Sequence, residues 1–365
     1  MSHRLAHIIR HVPGPTSPFL RATVTTAAVS VSPASRAVFY GRSSPGIFRS
    51  CLFSSSAALS FATSKPSAMA QLSTAARNHA KPIQTAACLI IGDEVLNGKT
   101  KDTNSAYVAK FCFSLGISLK RVEVIEDDED QIIEAVQRMS KSYDFVVTSG
   151  GIGPTHDDIT YSSIAKAFGL EVKLYDEAYR RMREITTKKP RPNQPPIDWD
   201  EDSPAMRARL RMVELPTNPE VPNDKQFLFP QEDLWVPVCV VNGNVHILPG
   251  VPRLFEMLIE GLKPALLSRL ADPEGKSLAR VMISTPLPES AVAPYLTELA
   301  AKVGPHGVKV GSYPRWERKR NTVTLVGRDQ AYLETLVAEV VENVQGHRVT
   351  VEGEDDSGSD AEKDK

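Results

Sequence analysis

Residues 148 to 158 read Thr-Ser-Gly-Gly-Ile-Gly-Pro-Thr-His-Asp-Asp, with an apolar run before them and a helical pattern after them. Three glycines this close permit positive φ angles, so successive backbone amides can turn into one concavity that suits an anion such as phosphate. The spacing is GGxG, which is not the GxGxxG of dinucleotide-binding folds, and no Lys-Ser or Lys-Thr follows as a P-loop requires. A glycine cluster alone is equally consistent with a tight strand-to-helix turn in which Asp158 merely caps the helix.

Two acidic segments sharpen the reading. Gly92-Asp-Glu-Val-Leu-Asn-Gly-Lys-Thr-Lys-Asp-Thr-Asn104 follows one apolar run, and Glu126-Asp-Asp-Glu-Asp130 follows the next. If both runs are strands of one parallel sheet, Glu94, Asp102, Asp127, Asp157 and Asp158 leave at the same edge as the glycines. Carboxylates beside a phosphate repel it unless a divalent cation bridges them, and hard oxygen ligands suit Mg²⁺ or a similar ion. The expected holders are Asp158, Asp127 and Glu94. Most of Glu126 to Asp130 also reads as a solvated run favoured by the helix dipole, which leaves Asp127 as the one singled out. His156 can serve as acid or base, but a lone loop histidine is more often a surface residue.

The elements that must position these residues are legible. Ala86 to Ile91 has the length and flanks of a buried strand, and Asp102 reads as the N-cap of a helix carrying Ala106, Val108, Phe111, Cys112 and Leu115 to a stop at Gly116. Ser118 to Ile125 predicts a strand, Asp130 to Ser142 a helix, Phe145 to Thr148 a strand and Ile159 to Phe168 a helix. Alternation of this kind predicts right-handed crossovers and a parallel sheet covered on both faces. From residue 188 to 237 ten prolines preclude a long helix or central strand, so this stretch reads as an insertion or ordered loop able to act as a lid. Val238 to Val241 and Val245 to Leu248 flank Asn242-Gly243, which suits a type I′ hairpin turn. Residues 276 to 351 then predict a small βαββαβ domain in the ferredoxin-like order.

Charge divides the chain. Residues 1 to 92 contain no Asp or Glu, and seven arginines with two lysines give them +9; residues 352 to 365 carry -5, and the whole chain is at -1. A segment rich in Arg, Ser and Ala without acids has the composition of a mitochondrial presequence, expected to extend through residue 84, with initiation at Met69 giving a cytosolic form. The acidic tail is expected to be disordered. The mildly acidic body argues against nucleic acid as the partner, and no apolar run approaches the roughly 20 residues that span a bilayer. Cys51, Cys88, Cys112 and Cys239 form no CxxC pair and read as reduced thiols.

Taken together, Gly92-Asp-Glu94, Thr148 to Asp158, Leu248-Pro-Gly-Val-Pro252 and Val310-Gly-Ser-Tyr-Pro-Arg-Trp316 resemble the MoaB/MogA molybdopterin-binding fold. More closely they resemble its CinA subgroup and the N-terminal molybdopterin-binding-like region of eukaryotic FAD synthases. The resemblance covers about Thr85 to Val351. It implies an α/β fold: a three-layer parallel-sheet domain over residues 85 to 265, then the small α+β ferredoxin-like domain. It also implies that Thr148, Ser149, Gly150, Gly151 and Gly153 bind the ligand's phosphate, with Asp102, Thr103, Asn104, Pro249 and Gly250 completing the binding site. Asp127, Asp157 and Asp158 become the catalytic positions. The activity implied is metal-dependent cleavage of a dinucleotide pyrophosphate, FAD to FMN and AMP, or ADP-ribose, with Mg²⁺, Mn²⁺ or Co²⁺. No nucleotide-transferase domain follows the small domain, so FAD synthesis is not expected. The alternatives are a module that binds molybdopterin or flavin without turnover, and an enzyme of molybdenum-cofactor synthesis. MogA-like relatives often form trimers, which leaves a homo-oligomer open.

Overall fold

The computed structural model describes residues 73–189, 197–272, 278–315, 320–352 and 354. The leader up to residue 72 with Met69 and Cys51, and most of the acidic tail, lie outside the described residues.

The predicted strand and helix alternation forms a six-stranded sheet. Its first three strands are β1 (Thr85–Ile91), β2 (Ser118–Ile125) and β3 (Phe145–Ser149), and its last three are β6 (Phe227–Leu228), β7 (Val238–Val241) and β8 (Val245–Leu248). The order is β2-β1-β3-β8-β7-β6; β2, β1, β3 and β8 run parallel, while β7 is antiparallel to both β8 and β6. The chain passes from β1 outward to β2 and back across to β3, so the order reverses between β1 and β3. A crevice for ligands opens at the carboxyl ends beside such a reversal.

Alternate residues of β1 explain the three layers. Ala87, Leu89 and Ile91 enter one buried cluster with α4 (Glu129–Ser142), which contributes Ile132, Val136 and Met139; Ala86, Cys88 and Ile90 enter a second with α3 (Asn104–Ser114) and α9 (Pro252–Gly261). A strand buried on both faces must be apolar throughout, and six of the seven residues of β1 are buried. In α3 the buried positions Asn104, Val108, Phe111 and Cys112 follow the helical spacing, and Gly116, at φ +68°, closes the exit. Burial keeps Cys88, Cys112 and Cys239 as free thiols and pushes Cys112 up to about 12.

The βαββαβ order is present as β9 (Ala279–Thr285), α11 (Glu289–Val303), β10 (Lys309–Arg315), β11 (Arg320–Gly327), α12 (Gln330–Asn343) and β12 (His347–Val349), and its antiparallel sheet runs β10-β11-β9-β12. One face of that sheet packs Val281, Ile283, Val323 and Leu325 against the two helices.

Three expectations change. The leader does not extend to residue 84: α1 (Thr74–Ala80) is capped by Ser73, Asn78 donates to the Asn242 carbonyl at 2.9 Å, and Ile83 is buried and bridged to Leu270. Seven residues give too few turns for a periodic signal, so the packing of Ala75 over the hairpin turn was invisible in the pattern. Second, the proline-rich stretch contains β5 (Glu214–Thr217), paired with β4 (Glu171–Leu174), and α7 (Pro204–Leu210), whose first residue is a proline after the capping Ser203. It also begins at the end of an unanticipated helix, α6 (Asp176–Lys188). Third, Asn242 and Gly243 have positive φ as the turn requires, but Val241 pairs with Val245, so Asn244 is an extra residue in the loop.

Candidate functional site

Strand geometry brings the glycine loop to the reversal point. At Gly150 the backbone has φ +111°, and an added Cβ would stand 2.0 Å from the Ile91 carbonyl at the end of β1. Gly150 N donates to the Leu248 carbonyl at 3.2 Å, and an added Cβ on Gly250 would meet Gly150 Cα at 3.3 Å. Any side chain here would separate the loops that follow β1, β3 and β8. Gly151, at φ +65°, leaves no room either, with the Thr160 hydroxyl 2.2 Å and Asp127 Oδ1 3.3 Å from its Cβ position. Thr160 donates from Oγ1 to the Gly150 carbonyl at 2.9 Å and from its amide to Gly151 O at 2.9 Å, which joins the loop to the start of α5 (Thr160–Ala167).

Beneath the loop lies a buried polar set. Asn104, the first residue of α3, donates to Ser149 Oγ at 2.9 Å and to the Gly250 carbonyl at 2.9 Å, and Ser149 donates to the Pro249 carbonyl at 3.3 Å. Asn104 Oδ1 and Thr148 Oγ1 are buried without a partner. An orphaned buried acceptor and hydroxyl are costly, and a ligand's donor would relieve that cost. Thr148, Ser149, Asn104, Pro249 and Gly250 are thus brought together with the glycines.

The carboxylates divide. Asp127 and Asp93 bracket each other: the Asp93 amide donates to Asp127 Oδ2 at 3.0 Å and the Asp127 amide to Asp93 Oδ1 at 3.4 Å. Burial pushes the Asp127 carboxyl above its ordinary value; the Asp93 amide opposes that, and the charges of Asp93, Glu94 and Asp157 push it further up. Like charges gathered at one half-buried carboxylate favour a proton or a cation there. Asp158 takes a different role from the one expected. Its Oδ1 accepts from Gly153 N at 2.6 Å, and its Oδ2 from Thr155 N at 2.8 Å and Thr155 Oγ1 at 2.5 Å. Both oxygens are spent on closing the glycine loop, and α5 begins with Ile159 as a cap that offers no side chain. Asp102 likewise turns to its own helix, accepting from Ser105 N at 3.0 Å, and Thr103 contributes a carbonyl to Tyr107 N at 3.1 Å. Asp157 is exposed, and His156, 99% exposed and 3.9 Å from Asp157, is the surface residue its setting suggested.

The expected trio Asp158, Asp127 and Glu94 is therefore not a cage. Among the described residues no three His, Cys, Asp or Glu side chains are placed to hold a metal together. The donor chemistry fits a cation differently. Mg²⁺ keeps its waters and typically takes one or two carboxylates plus the substrate's phosphates. Asp127 and the neighbouring Glu94 fit that partial set; Asp158, with its oxygens engaged, does not.

Two contributors were not anticipated. Asp93 opens a single helical turn, Asp93–Leu96, too short to leave a periodicity that tells its side chain's direction from that of Glu94. Arg211, in the single 3₁₀ turn after α7, donates from Nη1 to the Thr155 carbonyl at 3.0 Å and from Nη2 to the Asp158 carbonyl at 3.0 Å. The proline-rich segment thus carries a guanidinium that holds the glycine loop. The one signal in the sequence was the Arg207, Arg209, Arg211 alternation, which does not say what it faces. A partly open cavity of about 170 Å³ beneath α1, lined by His79, Gln226 and Gly243 among others, lies at the hairpin end of β8 and takes no part in this site.

A parallel-sheet domain with glycine, asparagine and carboxylate loops at its reversal point, followed by a small antiparallel-sheet domain, is the architecture in which known proteins are found to match. Residues 87–268 match the model of a probable molybdopterin binding domain, and residues 277–353 match the middle domain of FAD synthase. The chain belongs to the family that joins these two domains. A probable FAD synthase of Caenorhabditis elegans is 34% identical over 276 residues, covering 73% of this chain and 51% of that one. A Saccharolobus islandicus protein is 31% identical over 231 residues, covering 62% of this chain and 78% of its own length. The solved CinA structure from Thermoplasma acidophilum shares 29% identity over 50% of this chain and 98% of that chain, with a TM-score of 0.40. The chain spans about half the length of the probable FAD synthases it matches.

Proposed function

We propose that this protein hydrolyses the pyrophosphate of a dinucleotide, FAD to FMN and AMP, or ADP-ribose, with a divalent cation. The observation that carries the reading is the meeting of the Gly150 and Gly151 backbone with Asp127, a carboxylate made costly by its neighbours, at the reversal point of the sheet. The relatives named as probable FAD synthases, and the FAD synthase middle domain, support a flavin dinucleotide as the substrate.

In this reading the Gly151 amide donates to a phosphate oxygen, while the Gly150 and Gly153 amides, bonded to Leu248 O and Asp158 Oδ1, join the Arg211 contacts in keeping that loop in shape before the substrate arrives. Asn104 Oδ1 and Thr148 Oγ1 take hydrogen bonds from the ligand. Asp127 and Glu94 would hold a divalent ion such as Mg²⁺, Mn²⁺ or Co²⁺, which would supply charge neutralisation of the pyrophosphate and a more acidic water. The water oxygen adds to one phosphorus, the bridging P–O bond breaks, and the bridging oxygen leaves with the other phosphate. Asp127→Asn tests the assignment: it abolishes FMN release from FAD in the presence of the cation. FAD held tightly with no product from the wild type would instead favour a binding module. The acid-free leader supports mitochondrial import with a second form starting at Met69, and N-terminal mapping in separated compartments checks it; one long form in both would reject it.

A further inference from the structure

Away from the carboxyl edge, a cleft of about 560 Å³ lies between the face formed by α3 and β2 and the open face of the small sheet. That volume falls within the roughly 300 to 1,000 Å³ of small-molecule sites. Its lining contains Lys110, Arg280 and Lys309 and no carboxylate. In a body that carries -5 between residues 93 and 351, three cations with no acid among them run against the trend of the surface.

The strand register places two of these cations. Lys309 is opposite Val326, and Val326 is opposite Arg280, so the three form one row across β10, β11 and β9 on a single face. The opposite face buries Val281, Ile283, Val323 and Leu325 against α11 and α12, so this row belongs to the face those helices leave uncovered. Arg280 is stacked over the Phe113 ring at 4.6 Å, and Arg328 donates to the Gly116 carbonyl at 2.7 Å, which ties the small sheet to the end of α3. Among the described residues neither Lys110 nor Lys309 is engaged in an ion pair. Along the same edge strand, Gly311 has no side chain, and the Tyr313 ring lies across it with ring atoms 3.1 Å from the Cβ position. Tyr313 is 55% exposed, so the ring keeps an accessible surface beside the cations.

We infer that this cleft binds a mononucleotide, with the phosphate held by Lys110, Lys309 and Arg280 and the base or flavin ring packed on Tyr313. A compact cationic cluster beside an open ring recognises a dianion joined to a flat heterocycle, and the site is independent of the hydrolysis proposed above.

Calorimetric titration of the full chain with AMP, FMN and inorganic phosphate tests it. Lys309→Glu, on an exposed side chain, weakens AMP about tenfold or more, the share of one charge-assisted hydrogen bond. Tyr313→Ala weakens AMP at least about fivefold, the lower range for stacking on an aromatic ring, and leaves phosphate binding unchanged. Asp127→Asn, isosteric and at the carboxyl edge, leaves this AMP binding intact. Affinity unchanged in both Lys309→Glu and Tyr313→Ala would overturn the assignment. So would AMP binding that disappears with Asp127→Asn, phosphate competing as strongly as AMP, or a short RNA binding where mononucleotides do not.

Discussion

Replacing Gly150 by alanine separates the two demands the structure places on that residue. At φ +111° an L side chain sits in a region held almost entirely by glycine, at a cost of about 1 to 3 kcal/mol. The new methyl would also stand 2.0 Å from the Ile91 carbonyl, so one of the two backbones must retreat by about an ångström or more. Neither retreats freely. Gly150 N is bonded to Leu248 O at 3.2 Å, Gly150 O accepts from Thr160 at 2.9 Å, and Gly92 N donates to Ile125 O at 3.1 Å beside Ile91. Losing one or two of these bonds adds about 1 kcal/mol each, which places the total at about 2 to 5 kcal/mol. Gly169 is the matched control: its φ is +65°, and nothing lies within 4 Å of its Cβ position, so alanine there costs only about 1 to 2 kcal/mol. Urea unfolding of the two variants reads the difference directly, and FAD turnover reads the displaced cradle. If Gly150→Ala costs no more than Gly169→Ala, the close approach of the β1 and β3 loops is refuted.

Other outcomes follow from the same geometry. Asp127→Asn raises the melting temperature of the metal-free protein at neutral pH. The native fold holds this carboxyl above its ordinary 3.8, so stability falls as pH rises from that value through the higher folded one; added Mg²⁺ then stabilises the wild type and not the variant, as thermal shift would record. Arg211→Ala removes two carbonyl contacts from the glycine loop and raises KM for the dinucleotide several-fold with little change in kcat, whereas an equal loss in kcat alone would make Arg211 act on the reacting atoms. His246, buried between the sheet and α9 and brought down to about 3 chiefly by burial, stays neutral in the fold while the unfolded chain titrates near 6.5. Its contribution is complete above 6.5 and is lost as pH falls, by about 2 kcal/mol between pH 6.5 and 5 at 1.36 kcal/mol per unit. Urea melts of the wild type and His246→Gln check that slope, and parallel pH profiles would contradict it.

What the sequence made legible was what repeats. Strand β1 and helices α3 and α4 announce themselves because each buries a periodic set of side chains, and the order of strands and helices implies the parallel sheet and its carboxyl edge. The glycines, Asn104 and Asp127 could be placed there for the same reason. Side-chain direction in loops could not. Asp158 and Asp102 look like free carboxylates in a string of letters, yet each is turned to backbone amides three to five residues away. Arg211 reaches Thr155 from 56 residues further along the chain, a contact made by the packing of Val213 and Leu215 onto the core rather than by any local pattern. The start of the folded body is not legible because α1, beyond its Ser73 cap, is held by contacts to the distant Asn242-Gly243 turn.

The most direct test incubates the purified chain with FAD, ADP-ribose and NAD under Mg²⁺, Mn²⁺ or Co²⁺ and under chelation, with products resolved by chromatography. The expected result is FMN and AMP in equal amounts from FAD, dependent on the cation and absent in Asp127→Asn. FAD recovered intact with every cation, or FMN released equally after chelation, would contradict it.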